Sequence, residues 1–387
     1  MKEKLNSFLS KKVNMDSALT GCMVTFLLTI ALVVGWFTVL AGGFGNLINT
    51  IKFAQILSVI DRVYIGEADS DELSDYAFSA MINQLGDRWS YYMTKDTYEM
   101  YRQVQSNQYT GIGITLQKEE AGWLIVGIAD ESPAAKAGII SDTYLVEVNG
   151  VTVRDMESSE ISGMMKEHPD DITVVTEDLE GKRSSFSVSI AVIYSNPVSY
   201  EMMNGNIGYV KLENFDETCA EQAIEAIEKL QEQDCRALVF DVRNNGGGFV
   251  DEMTALLDYL LPEGEIFVSV NRNEKEKVIK SDKNHVDLPM AVLVNENSYS
   301  AAECFAAVLR EYDAATIVGM QTTGKNRSQT NVILADGSAV HISSKRYLTP
   351  HRVDLTEQGG LTPDIVVEFD ENDPQLMAAL DLFQENT

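Results

Sequence analysis

Apolar residues recur along this chain in different rhythms, and each rhythm predicts a different kind of element. The first is unbroken. Between Asp16 and Lys52 no residue is charged, and the apolar stretch from about residue 18 to residue 41 is long enough to cross a bilayer as one helix. The second rhythm is helical. Ile51, Phe53, Ala54, Ile56, Leu57 and Ile60 form one apolar-rich segment and residues 73–85 another. The latter is entered through Asp69-Ser70-Asp71-Glu72, a capping start, and ended by Leu85-Gly86-Asp87. A helical pattern is expected from Asn46 to about Gln105. Its aromatic patch (Trp89, Tyr91, Tyr92, Tyr98, Tyr101) reads as packing in a helical spacer.

From about Tyr109 to Ile193 the pattern turns to strands. Gly111-Ile112-Gly113-Ile114-Thr115-Leu116 mixes glycines with alternating apolar residues, and Trp123-Leu124-Ile125-Val126 follows as a strand. Ser132-Pro133-Ala134-Ala135-Lys136-Ala137-Gly138 reads as a short helix closed by glycine. Leu145-Val146-Glu147-Val148 with Asn149-Gly150 gives a strand and turn. Residues 172–175 and 185–193 flank a Glu180-Gly181 turn, consistent with a hairpin.

From Ile207 strands and helices alternate. Residues 207–212 predict a strand, 217–233 an amphipathic helix, 237–242 a buried strand and 252–261 a helix. Met290-Ala291-Val292-Leu293-Val294 reads as another buried strand, residues 301–309 as a helix and Thr316-Ile317-Val318-Gly319 as a strand. Such alternation implies helices packed on a mixed or parallel sheet. Chemistry is then expected in the loops at the carboxyl ends of the strands.

Length and composition narrow the picture. At 387 residues there is room for two or three domains and a large core. An apolar fraction of 45% with only 8 prolines argues for folded structure. The formal net charge of −29 argues against nucleic acid as a partner and against a peripheral hold on anionic lipid. Cys22, Cys219, Cys235 and Cys304 make neither a disulfide framework nor a metal spacing. The four histidines (His168, His285, His341, His351) are scattered, which argues against a zinc hydrolase; no cofactor or metal is called for.

Lys2, Lys4, Lys11 and Lys12 precede the apolar stretch, so the positive-inside rule puts the N-terminus in the cytoplasm and everything after about Gly45 outside. Val39-Leu40-Ala41 has the look of a signal-peptidase site, but the apolar core is longer than a usual signal sequence. Leu19-Thr20-Gly21-Cys22 has the look of a lipobox but precedes the apolar run. A retained anchor is expected.

The candidate chemistry lies between Asn295 and Gln329. Ser300 falls between a buried strand and a small-residue helix, where its hydroxyl is exposed beneath the positive end of the helix dipole. Such serines are mostly N-caps. Lys325, beyond the next strand, supplies what a serine nucleophile needs without histidine: an amine that becomes a base once desolvated. Ser298, the nearest rival, lies before the helix mouth. Gly246-Gly247-Gly248, at the end of the 237–242 strand, offers bare backbone N–H groups to a substrate carbonyl, completing an oxyanion hole with the Ala301 N–H. Gly319-Met320-Gln321-Thr322-Thr323-Gly324-Lys325-Asn326 nearly spells a P-loop but lacks the hydroxyl residue after lysine that would hold magnesium.

The order of elements from 109 to 193 resembles a PDZ domain, although Ile140-Ser141-Asp142-Thr143 replaces that family's usual proline-glycine-aspartate turn. The chain after the apolar stretch resembles the carboxyl-terminal processing peptidases, also called tail-specific proteases. The resemblance rests on Gly111–Ile114, Ser132–Gly138, Asp241–Gly248, Asn295–Glu303, Gly324–Gln329 and Gly360-Leu361-Thr362-Pro363-Asp364-Ile365. Gly246, where that family commonly has proline, departs from it. The resemblance implies an α/β (α+β) fold. With the cytoplasmic tail (1–17) and transmembrane anchor (18–43) read from hydropathy and charge, the parts would be an N-terminal helical region (44–105), a PDZ-like domain (106–193) and a ClpP/crotonase-like peptidase core (194–387). It also implies a serine endopeptidase with Ser300 as nucleophile, Lys325 as base and Gln329 orienting the lysine, and an oxyanion hole from Ala301 and a glycine near Gly247. Gly111, Ile112, Gly113 and Ile114 would bind the C-terminus of a peptide. Expected partners are protein or peptide substrates with apolar C-termini and the membrane, with homo-oligomerisation open. The competing expectation is an inactive membrane-tethered peptide-binding scaffold.

Overall fold

The computed structural model describes residues 15–40 and 42–384. The chain divides into two compact units, one ending at Met81 and one beginning at Ile82. In the first, helix α1 (Met15–Leu40) carries the span Leu19–Val39, of mean hydropathy 2.3, with its side chains exposed. It is long and apolar enough to cross a membrane. The four lysines that set its expected orientation lie outside the described residues, as does Ala41. Helix α2 (Phe44–Val63) follows, and then α3 (Ser70–Asn83), whose first turn is capped as expected: the Asp69 carboxylate accepts from the Asp71 and Glu72 N–H groups.

The second unit opens with a departure from the helical pattern. Residues 91–93 form strand β1 (Tyr91–Met93), ahead of helix α4 (Lys95–Gln105). Alternating aromatics fit a pleated, half-covered surface as well as a helix face, and pairing with a distant strand decided the matter. Strand β2 (Gln108–Gly111) then leads into a β-rich domain. It holds β3 (Ile114–Glu119), β4 (Gly122–Ile128), α5 (Pro133–Ala137), β5 (Thr143–Val148), β6 (Val151–Thr152), α6 (Ser158–Glu167), β7 (Ile172–Glu177) and β8 (Arg183–Val188). The sheet order is β3-β4-β5-β7-β8, with β6 paired to β5. Its own small core gathers Ile125, Leu145, Ile161, Ile172 and Val174. Two local details differ from the sequence pattern. Helix α6 was not anticipated, and the run 185–193 breaks after Val188 to resume as β9 (Ala191–Tyr194), which pairs with β2.

The remaining strands build two sheets. Strands β10 (Val198–Met203), β11 (Ile207–Leu212), β12 (Ala237–Asp241), β15 (Met290–Val294), β16 (Ala315–Gly319) and β19 (Ile365–Val366) lie in that order, parallel from β11 onward. Between them run α7 (Cys219–Gln231), α8 (Val250–Leu260) and α9 (Ala301–Glu311), with α10 (Pro374–Asp381) near the end. Both faces of the sheet are covered. Leu238, Phe240, Val292 and Val294 pack with residues of α7, α8 and α9, while Val239, Ala291, Leu293 and Val318 pack with Ala379 of α10. This explains why β12 and β15 are buried at every position and apolar throughout except at Asp241, which closes β12. An antiparallel sheet joins β1, β18 (Ala339–Leu348), β13 (Gly264–Asn271) and β14 (Glu276–Ser281), with β17 (Arg327–Ile333) also on β18. The result is a mixed α/β fold. Cys219, Cys235 and Cys304 are buried free thiols.

Candidate active site

A cleft of about 600 Å³ lies at the carboxyl ends of the parallel strands. Ser300, Ala301, Gly246, Gly247, Gly248, Lys325 and Gln329 all line it. Ser300 is the N-cap of α9, at φ +62°. Few side chains adopt that region, and such strain persists where surrounding contacts over-determine it. The rival Ser298 is fully buried. Its hydroxyl donates to the Val242 carbonyl at 2.7 Å and accepts from the Asn295 N–H at 3.0 Å, so it knits the loop together.

Glu303, in the first turn of α9, is also fully buried. Its Oε2 accepts from the Ser300 N–H at 3.0 Å and from the Lys325 N–H at 2.9 Å. Its Oε1 accepts from the Gly324 N–H at 2.6 Å and the Thr322 hydroxyl at 2.5 Å. One carboxylate thus ties the backbones of Ser300 and Lys325 together. The Tyr347 hydroxyl donates to the Lys325 carbonyl from β18.

Gly247 stands where a side chain would be intolerable. A Cβ there would lie 2.8 Å from Ser300 Cβ, 2.9 Å from the Ala301 nitrogen and 3.1 Å from Ser300 Oγ, at φ +93°. The Gly247 N–H donates to Asn245 Oδ1 at 2.8 Å, and the Asn245 amide in turn donates to the Leu212 carbonyl. Below the loop, Arg243 bridges Asp241 and Asp373 at 2.7 and 2.6 Å, and the Tyr209 hydroxyl donates to Asp241. This network fixes the strand end from which the glycines project.

Lys325 is buried, 9% exposed. Burial pushes its amine down to about 8, although Asp87 and Glu303 pull the other way. The amine lies over the Trp89 ring, and among the described residues it makes no hydrogen bond to Ser300 Oγ. Gln329, on β17, donates from Nε2 to the Arg327 carbonyl and to Ser343 Oγ, both at 3.0 Å, and not to the lysine. Further along the cleft, burial and the neighbouring Glu217 and Glu252 push Asp216 up to about 7, while burial and Lys325 push His341 down to about 4. His341 Nδ1 pairs with Asn331 Oδ1 at 2.6 Å, and its ring stacks on Tyr91 at 4.6 Å.

Sequence reasoning missed the roles of Glu303, Tyr347, His341 and Asp216, whose partners include residues far along the chain: Lys325 for Glu303, Tyr347 and His341, and Glu252 for Asp216. Trp89 and Tyr91 carried a signal, since both sit in the aromatic patch. Of the proposed peptide-binding group, Gly111, Ile112, Gly113 and Ile114 lie in the β-rich domain, and none of them lines the cleft. The Ile112 carbonyl accepts from the Ala134 N–H and the Gly113 carbonyl from the Ala129 N–H, both at 2.9 Å. Gly113 is at φ +88°, with Ser132 too close for any side chain. The loop delivers the chain into β3, an edge strand of its sheet.

Known proteins share sequence or fold with much of this chain. Residues 206–367 match peptidase family S41. A probable CtpA-like serine protease of Staphylococcus saprophyticus is 27% identical over 321 residues, covering 82% of this chain and 65% of the relative. One from Staphylococcus aureus is 25% identical over 324 residues, with 83% and 65% covered. The chain therefore spans about 65% of the length of these curated relatives. Among solved structures, the photosystem II D1 C-terminal processing protease aligns with a TM-score of 0.51 at 23% identity, over 86% of this chain and 97% of that one. A putative S41 protease from Bacteroides fragilis gives 0.54 at 17% identity, over 85% and 96%. These two likenesses speak to the fold. The residues that match peptidase family S41, 206–367, contain both Ser300 and Lys325.

Proposed function

We propose that this protein is a membrane-anchored serine endopeptidase that acts outside the cytoplasm and recognises the C-terminal tails of its substrates. The observation that carries the reading is the Glu303 tie between Ser300, at the mouth of a helix, and a buried lysine held at about 8. Ser300 Oγ attacks the scissile carbonyl while the neutral Lys325 amine takes its proton. The resulting oxyanion sits at the N-terminus of α9, against the Ala301 N–H and the glycine loop. For Gly247 itself to donate, its N–H has to exchange Asn245 for the substrate oxygen. Collapse of the tetrahedral species breaks the C–N bond, and the lysine returns its proton to the leaving amine. Water then hydrolyses the acyl-enzyme by the same route. In this reading Gln329 orients the lysine after its amide turns from Ser343.

Residues 106–193 act as a PDZ-like domain and 194–387 as a ClpP/crotonase-like peptidase core. A peptide's terminal carboxylate meets the Gly111–Ile114 loop, and its strand adds to the open edge of β3. Residues 18–43 serve as the anchor behind a cytoplasmic tail of residues 1–17, with residues 44–105 as a helical spacer.

The test is cleavage of a peptide with an apolar C-terminus, by purified full-length protein and by intact cells, whose bilayer a polar peptide does not cross. Ser300→Ala and Lys325→Ala should each lower the rate at least about 10³-fold while leaving the thermal transition in place. Full activity in either variant removes the dyad. Binding without cleavage by the unaltered protein favours a scaffold, and cleavage only after cell lysis reverses the proposed sidedness.

A further inference from the structure

Trp89 has no part in the mechanism above, yet it lies against the proposed base. Lys325 Nζ is 4.4 Å from the centre of its ring and 5.7 Å from that of Tyr299. The two rings are themselves 5.5 Å apart and tilted by 32°, so the amine occupies an aromatic corner. The Arg88 guanidinium also lies over the indole, at 4.3 Å. The corner is built rather than incidental. The Trp89 N–H donates to Asp87, and the Ser90 hydroxyl donates to Asp87 and accepts from the Ser343 N–H. Strand β1, which follows at once, is paired to β18. An aromatic face attracts an ammonium strongly and a neutral amine hardly at all.

We propose that Trp89, backed by Tyr299, is a positioning residue for the lysine base: the corner seats the Lys325 amine in its charged resting form and frees it towards Ser300 on deprotonation. This rests on the reading of Ser300 and Lys325 as nucleophile and base. Asp87 and Arg88 face the amine from the turn before β1, and Tyr91 from β1 lines the same cleft. Tyr299 and Glu303 approach from the start of α9, and His341 and Tyr347 from β18. Asp87 and Glu303 favour the ammonium and Arg88 opposes it. The indole adds to the favourable side. Replacing it with an aliphatic wall keeps the site dry but withdraws that attraction, so the amine should lose its proton at lower pH.

The experiment measures kcat/KM against pH for the full-length protein and for Trp89→Phe and Trp89→Leu. The acid limb should move to lower pH in the order Phe then Leu, by roughly half to one pH unit for Leu. An acid limb for Trp89→Leu that coincides with the unaltered protein's overturns the proposal. So does an equal displacement for Phe and Leu, which would mean that shape matters and ring charge does not. Should Trp89→Leu fail to fold, fluorinated tryptophans placed at position 89 keep the shape while draining the ring's negative face. The limb must then move in step with fluorination, and a stationary limb overturns the seat. Cleavage that survives Ser300→Ala defeats the dyad itself. An unmoved limb in an enzyme that still requires Ser300 defeats only the role of Trp89.

Discussion

Lys325 carries a conflict that solution measurements can read. The folded chain holds its amine at about 8, whereas the unfolded chain leaves it near 10.5. Between those values the unfolded state binds more protons, so stability rises with pH across that window. Below about pH 8 both states are protonated, and burying the ammonium is a standing cost. Lys325→Met, which keeps the apolar stem, is therefore expected to raise stability at pH 7 by roughly 1–3 kcal/mol. Thermal melts at several pH values check this: the gap over the unaltered protein should shrink as pH climbs from about 8 to about 10.5. An unchanged gap would mean that the amine is not desolvated. The same residue shows where reading from sequence stops. A lysine after a glycine shows nothing of its burial, because the groups that dry it, Trp89, Tyr299 and Tyr347, come from three separated parts of the chain.

At the scale of elements, the loop after β12 and the first turn of α9 operate as one device. Gly247 allows them to approach, and Glu303 fixes α9 to the segment bearing Lys325. Gly247→Ala should thus damage both rate and fold. A Cβ pressed between Ser300 Oγ and the Ala301 N–H should lower kcat/KM at least about 10²-fold. The positive φ and the contacts under 3 Å to Ser300 Cβ and the Ala301 nitrogen should together cost roughly 2–4 kcal/mol of stability. Kinetics and a denaturant melt on the same sample separate the two effects. The triple glycine and the serine at a strand-to-helix junction were legible because each demands a local backbone feature. Strand β1 was not. Tyr91, Tyr92 and Met93 find their partners at His341, Val340 and Ala339, and no window of local periodicity reaches that far. Gln329 was legible as a position but not as a contact, since Ser343 on the neighbouring strand competes for its amide.

Across the second unit as a whole, the β-rich domain is an insertion with a narrow stem. Gly111 and Ala191 are register partners at the top of the β2–β9 ribbon, so the chain leaves and returns at neighbouring points. Below them the Ser195 N–H donates to the Asn107 carbonyl at 2.8 Å, and the Asn107 amide reaches the Glu217 carbonyl at 2.8 Å. Excising residues 114–188 in favour of a short Gly-Ser turn should therefore leave the remaining core folded. The excised protein should keep a cooperative melt and labelling of Ser300 by an acylating probe. It should lose any advantage for a tailed peptide over the same peptide with its C-terminal carboxylate amidated. Retained preference for the free carboxylate would place tail recognition elsewhere. If a bound tail also shifts this domain to open the cleft, the excised protein should be indifferent to an activating peptide.

By itself, the sequence determined what depends on near neighbours: the uncharged span of α1, the strand and helix rhythm of the core, the glycine loop, and the serine and lysine to examine. Tertiary structure alone decided what depends on company. It dried Lys325, aimed Glu303 at two backbones, turned Gln329 towards Ser343 and put Trp89 against the amine. The physical reason is range. Local conformation follows from adjacent side chains and backbone geometry, whereas desolvation and hydrogen-bond competition depend on which distant surfaces the packed chain brings within a few ångströms.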